Sequence, residues 1–204
     1  MVIINTLILG PLQTNCYVVH EENASSCVVV DPAHSPETIL AYLESRELTL
    51  EAIFLTHGHF DHVGAAEGLL KETGCAIWMH KGDYNYPRDP MNDYLYPLHD
   101  KQIGNISFCD DGDIISAAGL SFTVYSTPGH SRGSVCYLTE KTLLSGDTLF
   151  AGGCGRTDLP GGSPDTIFVS LADLSELDDH IKVFPGHGES TTLAREKRYN
   201  PYMR

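Results

Sequence analysis

Residues 56–62 read Thr56-His57-Gly58-His59-Phe60-Asp61-His62, which places three imidazoles and one carboxylate in one short stretch. Side chains of these kinds are ligands for zinc, iron or manganese. So close together in sequence, the four cannot all reach one tetrahedral ion without strain. Two adjacent ions could use them all, with His57 and His59 turned to one and Asp61 and His62 to the other. The bland alternative is a solvated, histidine-rich turn. It fails on supply, because three further candidates, His130, Asp147 and His187, stand in similar settings beside glycine. Glycine permits unusual backbone angles and close approach to a bound group.

Each candidate closes a short apolar run. Ala52-Ile53-Phe54-Leu55 precedes the His-rich turn, Phe122-Thr123-Val124-Tyr125 precedes His130, Thr142-Leu143-Leu144 precedes Asp147, and Ile181-Lys182-Val183-Phe184 precedes His187. Runs of this length bounded by turn residues read as strands. Four strand ends would then deliver ligands to one edge, and turns held by a rigid scaffold are where chemistry tends to be placed.

This pattern resembles that of the metallo-β-lactamase superfamily: the T-H-x-H-x-D-H stretch at 56–62, then His130, Asp147 and His187 in order. The likeness covers nearly the whole chain. It implies an α/β (α+β) fold, a four-layer αβ/βα sandwich, with residues 1–204 forming one domain. It implies two divalent metal ions, zinc first, with iron or manganese as alternatives. By position, His57, His59 and His130 would hold the first ion and Asp61, His62 and His187 the second, with Asp147 bridging. Asp61 and Asp147 are also the catalytic candidates, Asp61 as ligand rather than free base.

The elements that must position these residues follow from pattern. Strands are expected at 2–9, 16–20 and 27–30, separated by Gly10-Pro11 and Glu21-Glu22-Asn23. Ser35-Pro36-Glu37 opens a helix to about residue 46, with Ser35 as N-cap. Asp31, just after the third strand, either supports the metal site from behind or caps a turn. A helix over 63–73 should stop at Gly74, and a short strand at 76–79 follows. Residues 81–101, with Tyr84, Tyr86, Tyr94 and Tyr96, show no period and read as a lid or substrate wall in which Tyr84 and Tyr86 contact substrate. Strands at 120–125, 134–138 and 142–144, a helix from Ser163 or Pro164 to 174, and a last short helix within 191–200 complete the chain.

Composition excludes several classes. The net charge is −14, with 42% hydrophobic and 20% charged residues, which is ordinary for a globular chain and argues against a nucleic-acid partner or an anionic membrane surface. No apolar run approaches a membrane span, and the start does not read as a signal peptide. Cys16, Cys27, Cys75, Cys109, Cys136 and Cys154 form no C-x-x-C pair. They read as buried thiols in a reducing compartment, hence a cytoplasmic protein. Cys154, in a glycine-rich loop near the site, reads as a small residue in a tight turn.

The chemistry narrows further. Class B β-lactamases commonly carry cysteine at the position of Asp147, so the aspartate disfavours that activity. Gly152-Gly153-Cys154-Gly155-Arg156 resembles the G-C-G-[RK] loop of the glyoxalase II group, which implies that Arg156 contacts a glutathione carboxylate. The run 198–202 looks like the ending of short, single-domain bacterial glyoxalase II-like proteins. Two departures stand against full identity with glyoxalase II: Asp158 where an aromatic residue is common, and an end at Arg204, 17 residues after His187, where a helical domain would complete the glutathione site. The expected reaction is hydrolysis of a small-molecule hydroxyacyl-glutathione-like thioester by a metal-bridging hydroxide. Alternatives are a one-iron persulfide dioxygenase, whose relatives share the Arg156-Thr157-Asp158 run and whose ligands would be His57, His130 and Asp147. A lactonase or phosphodiesterase on the same dinuclear site, or a non-catalytic metal-binding scaffold, completes the set.

Overall fold

The computed structural model describes residues 1–84, 90–98 and 105–204. The first sheet is built from β1 (Val2–Leu9), β2 (Thr14–Glu21), β3 (Ser26–Val30), β4 (Thr49–Phe54), β5 (Ala76–His80) and β6 (Ile106–Cys109), in that spatial order. Strands β1 to β3 are antiparallel neighbours, and β3 to β6 run parallel. Helix α1 (Pro36–Ser45) joins β3 to β4, and α2 (Phe60–Val63) with α3 (Ala66–Thr73) joins β4 to β5. Two short helices, α4 (Lys81–Tyr84) and α5 (Pro90–Leu95), come before β6. The second sheet holds β7 (Ile114–Ala117), β8 (Leu120–Ser126), β9 (Val135–Thr139), β10 (Thr142–Gly146), β13 (Lys182–Pro185) and β14 (Thr191–Thr192), with β13 inserted between β10 and β14. A small ribbon, β11 (Leu149–Phe150) with β12 (Gly153–Cys154), and helices α6 (Pro164–Ser175) and α7 (Leu193–Tyr199) complete the chain.

The layers can be read from the alternation of side chains, since successive residues of a strand face opposite sides. Along β3, Cys27 and Val29 enter one core and Val28 and Val30 another; along β2, Cys16 and Val18 part from Tyr17 and Val19 in the same way. The first core packs α1 and α3 against the outer face of the first sheet through Ile39, Leu43 and Leu69. The central core lies between the sheets, where Phe54 meets Phe122 at 4.8 Å and Tyr137 at 4.9 Å. The third core packs α6 and Leu193 of α7 on the outer face of the second sheet, against Cys136, Leu143 and Val183. This is the four-layer αβ/βα sandwich expected. Strands covered on both faces explain why 27–30 is an unbroken apolar run.

Several sequence expectations are corrected in detail. Ser35 stands at the N-cap of α1 as expected, but its side chain makes no capping bond: it takes φ 54° and its hydroxyl shares a 2.6 Å hydrogen bond with His34 Nδ1. The helix expected at 63–73 is two helices, because the Ala65 amide leaves the helical pattern to bond the Pro32 carbonyl at 2.8 Å. Its end is as expected, with Gly74 at φ 69° and its amide on the Leu70 carbonyl. Ser163 does cap α6, its hydroxyl accepting the Thr166 amide at 3.3 Å. The ends of the chain tie back to the site side. Glu196 and Asn200, both buried, accept the Gly152 amide at 2.7 Å and donate to the Gly153 carbonyl at 2.9 Å respectively, pinning the glycine-rich loop. Cys154 is half-buried, the other five cysteines are buried, and all six are free thiols. Among the described residues no helix is long and apolar enough to cross a membrane.

Asp83, on α4, carries weight that its sequence context does not signal. Its buried carboxylate accepts the Gly58 amide at 2.8 Å, the Ser131 hydroxyl at 2.7 Å and the Gly133 amide at 2.7 Å. It thereby fastens the turn after β4 to the turn after β8. Asp83→Ala would leave two buried amides without acceptors, at a cost of about 1–3 kcal/mol each. We expect a fall of about 3 kcal/mol in unfolding free energy, measured by denaturant titration of metal-free protein. A change under about 1 kcal/mol would contradict this role.

Candidate metal centre

The donors arrive at the carboxyl ends of strands from both sheets. Strand β4 ends at Phe54, and the chain turns through Thr56 to His57, Gly58 and His59 before α2 presents Asp61 and His62. The turn after β8 carries His130. Strand β10 ends at Gly146, directly before Asp147, and its parallel neighbour β13 ends at Pro185, two residues before His187; Gly146 and Pro185 are partners in register. A bulge between Leu144 and Gly146 shifts that register. Parallel pairing therefore sets Asp147 and His187 side by side although 40 positions separate them in the chain.

Two donor groups result. His57, His59 and His130 form one and Asp61, His62 and His187 another, each with ligand atoms within 4.8 Å of one another, and a third set of Asp31, His57 and His62 overlaps both. The rings of His57 and His62 lie 4.1 Å apart, so the groups adjoin. Asp147 reaches both: Oδ1 lies 3.4 Å from His62 Nε2, and Oδ2 lies 3.6 Å from both His130 Nε2 and His187 Nε2. Asp61 Oδ2 lies 3.3 Å from His187 Nε2 and accepts a bond from the Thr14 hydroxyl at 3.3 Å. The structure thus brings together all seven residues that the sequence put forward as ligands.

The protons on the imidazoles can be placed by elimination. Asp31 Oδ2 accepts the Thr56 hydroxyl at 2.6 Å, so that hydroxyl accepts in turn from His57 Nδ1 at 3.1 Å. His62 Nδ1 donates to Asp31 Oδ2 at 2.9 Å, and His130 Nδ1 donates to the Arg156 carbonyl at 2.8 Å. On His59 it is Nε2 that meets an oxygen, Tyr96 Oη at 3.1 Å. On these four rings the outer nitrogen is tied to an oxygen and the inner nitrogen faces the other donors. His57 Nε2, His62 Nε2 and Asp147 Oδ1 are buried with no hydrogen-bond partner. His59 Nδ1 and His130 Nε2 face one another at 2.9 Å with no hydrogen between them by this assignment. Buried polar atoms left in this state cost free energy, and histidines fixed through their far nitrogen are the usual arrangement around a metal. The residues present fit a pair of divalent cations.

Electrostatics agrees. Burial and the neighbouring imidazoles hold His57 well below the ordinary histidine range and His59 at about 3, so both stay neutral, as ligands must. Burial opposes a charge on His62, yet Asp147 and Asp31 outweigh it and lift that group to about 9. Burial likewise opposes ionisation of Asp61, yet the hydrogen bond with His187 and the charge of His62 hold the carboxyl well below its usual range. Three carboxylates around His62 make a place where positive charge is favoured. Asp31, open between two readings in the sequence, does both: Oδ1 accepts the Thr56 amide at 2.8 Å and shapes the turn, while Oδ2 orients His62.

The centre floors an open cleft of about 600 Å³. Its walls include Leu12, Phe60, Leu95, Phe150 and Leu159, with Cys154 and Arg156 on one side. Arg156 is exposed and grips Asp158 through Nε and Nη2, each at 2.7 Å. Tyr84 does not line the cleft; it packs against the first core with its ring 5.1 Å from Phe108. Tyr86 lies outside the described residues. Residues 85–89 and 99–101 of the expected wall also lie outside the described residues; among the described ones Leu95 lines the cleft and Tyr96 reaches His59. Sequence reasoning missed Tyr96 as a contact of the donors, missed Asp83, and missed Thr14 and Asn15, the latter bonding the Pro185 carbonyl at 2.9 Å and the Gly188 carbonyl at 3.0 Å beside His187. None lies in a motif; each acts through a fold contact distant in sequence.

Comparison with known proteins agrees with this geometry. Residues 9–187 match the family model of the Metallo-beta-lactamase superfamily. The hydroxyacylglutathione hydrolase GloC of Haemophilus influenzae is 33% identical, over 94% of this chain and 93% of its own. Among solved structures, the B3 metallo-beta-lactamase BLEG-1 superposes with a TM-score of 0.88 at 32% identity, covering 98% of this chain and 99% of its own. TTHA1623 in a di-iron-bound form gives 0.83 at 36% identity, covering 97% and 99%. ETHE1 from Myxococcus xanthus gives 0.82 at 29% identity, covering 98% and 83%. With its sandwich fold, its edge of paired donor groups and a family match over most of its length, the chain belongs to the metallo-beta-lactamase superfamily.

Proposed function

We propose that this metal-dependent hydrolase cleaves small-molecule thioesters of the hydroxyacyl-glutathione type, with the whole chain working as one domain. The observation that carries the reading is the pair of adjoining donor groups, spanned by Asp147, at the floor of an open cleft with one arginine at its side. Its support among relatives is GloC. Divalent ions at such a site make water acidic enough to supply hydroxide near neutral pH and polarise a carbonyl.

The chain's own residues do the rest. His57, His59 and His130 offer neutral nitrogens from one side, Asp61, His62 and His187 an anionic set from the other, and Asp147 fixes their separation. Leu12, Phe60, Leu95 and Leu159 receive the apolar parts of a substrate. Arg156 offers a guanidinium fork to a carboxylate of the thiol carrier. Its pairing with Asp158 is solvent-exposed and therefore weak, so a substrate carboxylate can take Asp158's place. A thiol leaves readily, its ordinary pKa being about 8.5, so the reaction needs no strong acid. That suits a cleft whose titratable lining among the described residues, apart from Arg156 and Cys154, consists of donors.

The test is thiol release from S-D-lactoylglutathione by protein loaded with zinc, iron or manganese. Rapid release that a chelator abolishes is the expected result; no release with any of the three would sink the proposal. A second reading, persulfide oxidation with a single iron, is favoured by the Arg156-Thr157-Asp158 run, here an ion pair at the cleft, and by the likeness to ETHE1. Oxygen uptake by iron-loaded protein with glutathione persulfide would select it. A β-lactam belongs in the same substrate panel because of BLEG-1.

A further inference from the structure

We propose that Tyr96 is a positioning residue for the first donor group, and that the loop carrying Arg156 sets His130 directly and His59 through Tyr96. The inference rests on the metal reading of that group. Tyr96 is fully buried, with its ring 4.9 Å from that of His59. Its hydroxyl lies 2.7 Å from the Pro160 carbonyl and 3.1 Å from His59 Nε2. A carbonyl oxygen can only accept, so the tyrosine proton is committed to Pro160. His59 Nε2 must then donate to the tyrosine oxygen, and Nδ1 is left with a lone pair directed at the donor group.

The same loop fixes the partner imidazole directly, through the Arg156 carbonyl and His130 Nδ1. Two carbonyls four residues apart, Arg156 and Pro160, thus decide the tautomers of two of the three imidazoles. One acts at first hand and the other through Tyr96. The arrangement is held by packing as well: Leu95 and Tyr96 form a small apolar cluster with Phe60, which follows His59, and Leu159, which precedes Pro160. The second group is held differently. His62 is oriented by Asp31 and Asp61 is contacted by Thr14, neither of which belongs to this loop. Loss of the tyrosine hydroxyl should therefore weaken the first group and spare the second.

The experiment compares the parent with Tyr96→Phe, both metal-free, by zinc titration against a competing chelator. Histidine ¹⁵N NMR of the metal-free proteins reports the tautomer of each ring. The expected result is two ions in the parent. In Tyr96→Phe, one of the two should be weakened about 10–100-fold, the usual effect of removing a group that orients a metal ligand, with the other unchanged. The parent should show His59 protonated at Nε2. Two ions bound by Tyr96→Phe within twofold of the parent would overturn the inference alone, as would a parent His59 protonated at Nδ1, which decides the matter even if the variant does not fold. A parent that binds no ion would overturn the metal reading and this inference with it.

Discussion

Asp147→Ala abolishes thioester hydrolysis and releases at least one of the two ions: this is the largest functional effect we expect. Asp147 lies against both donor groups, with Oδ1 toward His62 of the second and Oδ2 toward His130 of the first as well as His187 of the second. Removing it takes the shared anion from between two cations that would lie close together, and lets each donor set relax separately. Stabilisation of developing charge by metal ions is worth several kcal/mol, and each 1.4 kcal/mol is about tenfold in rate. A fall of about 10³-fold or more in kcat/KM is therefore expected at saturating zinc, with metal content per chain falling from two toward one after gel filtration. Turnover within about tenfold of the parent would show that the two groups do not work as one centre. The one-iron reading also uses Asp147, so His59→Ala is the companion variant: hydrolysis on two ions requires His59, whereas persulfide oxidation on His57, His130 and Asp147 would largely survive its loss.

Gly186→Ala should be nearly as damaging, although it adds a single methyl group and changes no donor. Gly186 bonds through its amide to the Gly146 carbonyl and through its carbonyl to the Asn15 amide, each at 2.8 Å, so its backbone is fixed on both sides. A β-carbon there would overlap Asp147 Oδ1 and meet His62 Cε1 at 2.6 Å. Neither neighbour can yield cheaply. Asp147 follows directly on β10, and His62 is buried with Nδ1 bound to Asp31. The methyl would push the bridging carboxylate off its position by an ångström or so, and misplacement of that order costs about 10²-fold in rate. We expect a comparable loss in kcat, together with weaker retention of both ions. The fold should survive, because the strain falls on the site rather than the cores, and circular dichroism with thermal unfolding of the metal-free variant would check that. Parent-like kcat and metal content in Gly186→Ala would contradict the close packing of β13's end against the centre.

The difference between what could be read from the chain and what could not has a physical basis. Which residues gather at the site was legible because their types are chemically unusual: imidazoles and carboxylates beside glycine at the ends of apolar runs have few other uses, and His57, His59, Asp61, His62, His130, Asp147 and His187 all come together. Most strands were legible too, since residues such as Val28, Val29 and Val30 must be apolar if both faces of β3 are covered. Helix boundaries fared less well. Ser35 stands at the cap position but its hydroxyl turns to His34, and the break at Ala65 comes from a bond to Pro32, a contact no local pattern announces.

What the tertiary structure alone decided is which nitrogen of each histidine faces the centre and what holds it there. That depends on Asp31, Thr56, Tyr96 and the carbonyls of Arg156 and Pro160. Tyrosine, threonine and backbone carbonyls are common everywhere in a chain, so their types carry no signal. Tyr84 and Tyr96 are equally tyrosine in sequence, yet one packs on Phe108 and the other touches His59. The chain's sequence determined which groups could bind and in what order; only packing, which joins residues 37 or 71 positions apart within hydrogen-bond reach, determined how they are aimed.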